Sequence, residues 1–326
     1  MEQSTPYNEI QTLPFTFLGL AEQESSLALS RTVIIPVAYD STTSYKSGAR
    51  EGPAAIINAS RYMEDYDIEL QREPSASGIH THPQLEARVN SPESMIQQVQ
   101  TVVQAHALMG KLVVTLGGDH SISIGAVAAH KSLFNDISVL YFDAHADLRD
   151  HYQGSSYGHA STAKRIHEQV DQLVQVGIRS MSSEESDFIE ERQIPSFMWN
   201  SPSKIADSEY PEGYPPFRDL PLSKRLEAIT SRLSTHVYIS IDLDVFDPSE
   251  MPSVGTPEPG GLRWRDLIEM LHGVSQQKTI IGFDLVELSP EQGPNFASYT
   301  AARLVYTLIG YALQSQDDAT NIAMED

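Results

Sequence analysis

The sequence contains no cysteine, which excludes disulfides and thiolate metal sites without naming a compartment. It has no apolar run of about 18 residues, the length that would suggest a membrane-spanning helix. No Lys or Arg precedes Arg31, so the charged start of a secretory leader is missing and the cytoplasm is the default location. Basic residues are scarce throughout: 22 Lys and Arg stand against 44 Asp and Glu, a formal net charge of −22. So acidic a chain lacks the basic counter-surface that nucleic-acid phosphates need, which excludes that class of partner. It would attract cations instead, either metal ions or a positively charged substrate, although much of the acidity can serve solubility alone.

What is present suits a folded enzyme. The 326 residues are 40% hydrophobic and 8% aromatic, enough for a sizeable core. Apolar, β-branched runs occur at Val33–Val37, Leu112–Leu116, Ile137–Phe142, Leu173–Ile178, Val237–Ile241 and Thr279–Phe283. Between them lie helix-like stretches at Glu93–Met109, Ser183–Glu191, Ser223–Leu233, Arg263–Val274 and Asn295–Leu313. Strands apolar throughout, separated by helices, indicate an α/β fold with a mainly parallel sheet covered on both faces. Residues 1–30 are polar and irregular and read as an N-terminal arm, leaving 31–326 as a single catalytic domain. Pro195, Pro202, Pro211, Pro215, Pro216 and Pro221 crowd one segment, which is expected to be an irregular loop. A surface or subunit-contact role is preferred there over a lid.

Four apolar runs end in residues that bind metals. Leu112–Leu116 leads into Gly117-Gly118-Asp119-His120-Ser121, and Ile137–Phe142 into Asp143-Ala144-His145-Ala146-Asp147. Val237–Ile241 leads into Asp242-Leu243-Asp244, and Thr279–Phe283 into Asp284-Leu285-Val286-Glu287. Ligands of open parallel sheets bind outside the carboxyl ends of the strands, so four such ends point to one site. In extended chain, residues two apart share a side, so Asp143, His145 and Asp147 should converge, as should Asp242 and Asp244. So many carboxylates cannot be crowded together without cations. An oxygen-rich set with one imidazole per ion and no sulfur suits two Mn²⁺ better than a structural zinc. Taken singly, each motif has an inert reading: a surface turn, a tight glycine turn, or a cap before Asp247-Pro248. Six ligand-type residues at the ends of buried strands are hard to explain that way together.

The segments GGDHS, DAHADLRD, SIDLDVFDP with GTPEPGGL, and DLVELSP resemble the signatures of the ureohydrolase family of arginases and agmatinases. The likeness extends to YDSTTSYKSGAREGPAAI at 39–56 and covers roughly residues 33–313. It implies an arginase-like three-layer α/β/α sandwich, assembled as a homotrimer or homohexamer. Two Mn²⁺ per subunit are implied, one held by His120, Asp143, Asp147 and Asp242. Asp143, His145, Asp242 and Asp244 would hold the other, with Asp143 and Asp242 bridging. Glu287 matches the residue that pairs with the substrate guanidinium. His159 matches the histidine that exchanges protons near the site mouth, with His151 as its rival. Thr256, in the GTPEPGGL match, would join Glu287 and His159 in touching substrate. His80, His106 and His236 have no such role.

The implied reaction is hydrolysis of a small cationic guanidino compound to urea and an amine. Water activated by the ions would attack the guanidinium carbon, and Asp147 would pass a proton to the leaving amine. Arginases read a carboxylate with an Asn- and Ser-bearing loop, whereas residues 148–158 contain no Asn. With the DLRD, YGHAS and TPEPGG segments, this resembles agmatinases, so agmatine, giving putrescine, is the expected substrate. Arginine, guanidinobutyrate, guanidinopropionate and guanidine are the alternatives within the family. A catalytically silent assembly subunit would usually have lost ligands, and a phosphoesterase is disfavoured because Glu287 and the acidic balance would repel phosphate.

Overall fold

The computed structural model describes residues 13–88, 90–201 and 215–325. Eight strands form one sheet: β1 (Thr32–Pro36), β2 (Ile79–Thr81), β3 (Leu112–Leu116), β4 (Ile137–Phe142), β5 (Gln172–Ile178), β6 (Ser196–Met198), β7 (His236–Asp242) and β8 (Thr279–Val286). Their order is β2-β1-β3-β8-β7-β4-β5-β6, and every neighbouring pair is parallel. The helices are α1 (Glu22–Ser25), α2 (Gly52–Ser60), α3 (Pro92–Ala107), α4 (Ser123–Lys131), α5 (Thr162–His167), α6 (Ser183–Arg192), α7 (Leu222–Thr230), α8 (Trp264–Ser275) and α9 (Phe296–Glu325).

Side chains alternate along each strand, so the sheet feeds two cores. Ile34, Val114 and Ile239 pack with Ile57 of α2, Ile229 of α7, Leu271 of α8 and Leu308 of α9. Val33, Val113 and Tyr238 pack on the other face with Val99 of α3, Val127 of α4, Ile166 of α5 and Ile189 of α6. Both faces are thus apolar, which is why the strands read as unbroken apolar runs. The result is the expected three-layer α/β/α sandwich. Among the described residues, no helix is long and apolar enough to cross a membrane.

Several elements differ from the sequence reading. β8 continues to Val286, so Asp284 lies inside the sheet and not at its end. Pairing on both sides, to Thr115 of β3 and Ser240 of β7, carries the strand past the acid. α9 runs on beyond Leu313. α4 was not anticipated because it is buried nearly all round, from Ser123 to Val127 and at Ala129 and His130, and so lacks a polar face to mark its period. α2, α5, β2 and β6 were also missed. The proline-rich segment is not wholly irregular: Pro195 leads directly into β6, and an edge strand tolerates proline at its entry. Pro202 and Pro211 lie outside the described residues. Of residues 1–30, read from the sequence as an irregular arm, 1–12 lie outside the described residues, Glu22–Ser25 form α1, and Phe17 is fully buried and donates its N–H to Thr81 Oγ1 (2.8 Å).

The sheet order also explains the position of the candidate ligands. β3, β8, β7 and β4 are distant in sequence but adjacent at the centre of the sheet. Their carboxyl ends therefore open beside one another. Gly118 lies at one of these ends, where a Cβ would stand 1.7 Å from the Tyr39 carbonyl oxygen. Gly118→Ala is expected to cost about 1–3 kcal/mol in urea unfolding; an unchanged midpoint would contradict so close an approach.

Candidate metal centre

The ligand-type residues are set by turns at the strand ends. After β7, Asp242 accepts the Asp244 N–H (2.8 Å) and caps the 3-10 turn Leu243–Val245. Asp242 and Asp244 thus converge through a turn, not through the extended alternation read from the sequence. After β4, the His145 N–H donates to Asp143 Oδ1 (2.6 Å) and the Ala144 N–H to Asp244 Oδ1 (3.1 Å). Asp147 takes a left-handed backbone conformation, φ 52°, and its carbonyl accepts the Lys164 N–H (3.0 Å). Glu287 is left-handed too, φ 65°, with its N–H bonded to the Gly118 carbonyl (2.9 Å) and Oε1 accepting the His120 N–H (2.8 Å). Non-glycine residues held in this region mark sites where the surroundings impose the backbone.

Two groups of side chains have ligand atoms within 4.8 Å of one another: His120, Asp143 and Asp242, and Asp143, His145 and Asp244. Asp143 belongs to both. His120 Nδ1 stands 3.2 Å from Asp143 Oδ2 and 3.3 Å from Asp242 Oδ2, and His145 Nδ1 stands 2.9 Å from Asp244 Oδ2. Asp147 Oδ2 is 3.7 Å from His120 Nδ1 and accepts the Tyr141 hydroxyl (2.8 Å), so it borders the first group without joining it. The Oδ2 atom of Asp143 is buried and has no hydrogen-bond donor. A buried carboxylate oxygen left so is costly, and a cation between the two groups would satisfy it. The donors present, oxygens with one imidazole per group, fit a pair of divalent ions.

The His120 imidazole is oriented from behind. The Ser240 hydroxyl donates to Asp284 Oδ1 (2.7 Å), so toward His120 Nε2 (2.8 Å) it can only accept. That puts a proton on Nε2 and leaves Nδ1 facing Asp143 and Asp242, where a bound ion would take the place of the Nδ1 proton. Tyr238 donates to the other Asp284 oxygen (2.8 Å), and the Tyr141 ring stacks on His120 with centroids 4.5 Å apart. For the second group, His145 Nε2 lies 3.7 Å from Glu258 Oε1.

The electrostatics show a shortage of positive charge. Burial, then the neighbouring Asp143 carboxylate, raises Asp147 well above the ordinary carboxylate range. Asp242 is raised by burial and then by Asp244 and Asp143, and Glu287 by burial and then by Asp242 and Asp119. Burial opposes charge on His120 as well, yet Asp143 and Asp242 raise it well above its usual value. Protons are drawn to this cluster, and divalent ions would displace them.

Asp242, Asp244, Glu287, Thr256 and His159 line a narrow cleft with Lys46. His145, Asp147, His159 and Thr256 also border an adjoining cavity of about 230 Å³, walled by Arg149, Tyr152 and Met181. Burial lowers the His159 imidazole, which lies 3.4 Å from the Thr42 hydroxyl, and that hydroxyl is bonded to Asp119 Oδ2 (3.1 Å). His151 is exposed, 2.8 Å from Asp150, and does not line the cleft. His80, His106 and His236 lie outside it as well. Sequence reasoning missed Tyr141, Ser240, Asp284, Thr42 and Lys46. Of these, Asp284 stands at the end of an apolar run and Thr42 and Lys46 fall within the 39–56 segment, but the sequence assigned none of them a role.

The sequence profile of the Arginase family matches residues 30–310. The chain is 40% identical over 293 residues to an N(1)-aminopropylagmatine ureohydrolase of Thermus thermophilus, covering 90% of this chain and 94% of that protein. It is 36% identical to one of Synechocystis, covering 95% and 97%. The solved structure of an agmatine ureohydrolase of Thermoplasma volcanium superposes with a TM-score of 0.80 at 30% identity, covering 96% of this chain and 98% of that one.

If the two groups hold ions, Mn²⁺ at about 100 times its dissociation constant should add roughly 2.7 kcal/mol of stability. The melting temperature is expected to rise with Mn²⁺ and to fall back with chelator, and Asp143→Ala should abolish the response. An equal rise in the variant would contradict the shared role of Asp143.

Proposed function

Because the chain belongs to the arginase family, and so is a ureohydrolase, we propose that it holds two Mn²⁺ and releases urea from N(1)-aminopropylagmatine. The observation that carries this reading is the pair of histidine–carboxylate groups sharing Asp143, set in a cleft whose wall includes Glu287. His120, Asp143, Asp147 and Asp242 would hold one ion, and Asp143, His145, Asp242 and Asp244 the other. Bound there, the ions would supply Lewis-acid activation of water and neutralise the crowded carboxylates.

The chain's own residues do the rest. Glu287, short of a positive partner, accepts charge-assisted hydrogen bonds from the guanidinium and orients its carbon toward the ion pair. Water adds to that carbon, and the bond to the alkyl-bearing nitrogen breaks. Asp147 passes a proton to that nitrogen, which leaves as the amine while the rest departs as urea. The Tyr141 hydroxyl holds Asp147 in place for this transfer. His159, kept neutral by burial and lying close to Thr42, exchanges protons with solvent at the mouth. Thr256, whose hydroxyl lies 3.4 Å from Asp244 Oδ2, borders both parts of the cleft and contacts substrate there.

The choice of substrate is refined from the sequence reading, which favoured agmatine. The named activity of the Thermus and Synechocystis relatives supports the aminopropyl derivative, and the adjoining cavity gives a longer chain room. Agmatine is the second reading, supported by the name of the Thermoplasma structure. The chain's acidity suits either polycation.

Urea release from a panel of guanidino compounds, with and without Mn²⁺, tests both. N(1)-aminopropylagmatine is expected to give the highest kcat/KM, with agmatine next and arginine far behind; turnover of arginine above both would overturn the substrate choice. Glu287→Gln should bind Mn²⁺ as the parent does and lose at least about a hundredfold in kcat/KM, the loss of a charged hydrogen-bonded contact. Retained activity would remove Glu287 from the site.

A further inference from the structure

Arg179 stands directly after β5 and is the cation most closely built into the ligand turns. Its Nη1 donates to the carbonyls of Gly177 (3.1 Å) and Val245 (3.1 Å). Its Nη2 donates to those of Asp244 (2.7 Å), Phe246 (3.1 Å) and Glu258 (2.8 Å). All five bonds end on carbonyl oxygens and none on a carboxylate. The Arg179 N–H completes the arrangement by donating to the Ala144 carbonyl (2.8 Å), between Asp143 and His145. One residue therefore grips the backbone beside each member of the Asp143–His145–Asp244 group, and beside Glu258, which faces His145 Nε2. Of the other group it approaches only the shared Asp143.

Charge and geometry make opposite demands here. A guanidinium near bound cations repels them, so by Coulomb's law alone its removal would tighten the ions. Its planar fork, in contrast, fixes three chain segments relative to one another, and a lysine ammonium cannot reproduce that. We infer that Arg179 is a positioning residue for the ion held by Asp143, His145 and Asp244, and that it does not serve the ion beside His120. The inference rests on the proposed two-ion site. It implies that the two ions can be weakened separately.

The test is metal binding by purified Arg179→Lys and Arg179→Gln proteins, by titration calorimetry and by metal content after dialysis against Mn²⁺. Circular dichroism checks the fold, and the lysine variant, which keeps the charge, serves if the glutamine variant does not fold. Both are expected to hold one ion nearly as the parent does and to bind the other roughly 10- to 100-fold more weakly, the range for a lost outer-shell contact. The paramagnetic signature should change from a coupled pair to isolated Mn²⁺. Two ions held at parental affinity by Arg179→Lys, or tighter binding by Arg179→Gln, would overturn the inference and leave the functional reading intact. Fewer than two ions in the parent would overturn the functional reading, and this inference with it.

Discussion

The repulsion among Asp143, Asp147, Asp242, Asp244 and Glu287 is the constraint around which this end of the molecule is built. The four aspartates are buried, and two imidazoles cannot balance all five acids. In so dry a setting, unbalanced carboxylates take up protons, which is the direction seen for Asp147, Asp242 and Glu287. Only added cations let the cluster stay ionised and still hold its shape. Asp143 is the exception, held below the usual carboxylate range by His120 and His145 against its burial, yet its Oδ2 atom has no hydrogen-bond donor.

A sheet of parallel strands suits this load. Its carboxyl ends gather β3, β8, β7 and β4 side by side, so short turns suffice to bring ligands from four distant stretches of sequence together. Those turns are held from outside the cluster. Asp284 and Ser240 hold the Nε2 proton of His120 from within the sheet, and Arg179 pins the turns beyond β4 and β7. Gly177 belongs to the same device: a Cβ there would meet Val245 at 2.5 Å and the Asp143 carbonyl at 2.9 Å. The rigidity of the cleft thus comes from outer contacts, while its chemistry comes from the inner ones.

Much of this was legible in the residues. β3 and β4 were read to their end residues because both are apolar on two faces and stop at polar, ligand-bearing turns. His120, Asp143, His145 and Asp242 could be named as ligand types because acids and histidines stand out after such runs. The geometry that unites them was read less well, since Asp244 sits in a 3-10 turn and Asp147 in a left-handed kink, neither visible in a pattern of alternation. Tyr141 and Ser240 were hidden within strands, where a hydroxyl looks like ordinary sheet composition. Arg179 was hidden because its partners are backbone carbonyls gathered only by the fold.

In the proposed site two cations share Asp143. Crystals of the protein grown with Mn²⁺ and measured near the manganese absorption edge test it directly through anomalous difference density. Two peaks are predicted, one against His120, Asp143 and Asp242 and one against Asp143, His145 and Asp244, with an Asp143 oxygen bound to each. A single peak, or two peaks of which only one touches Asp143, would contradict the account.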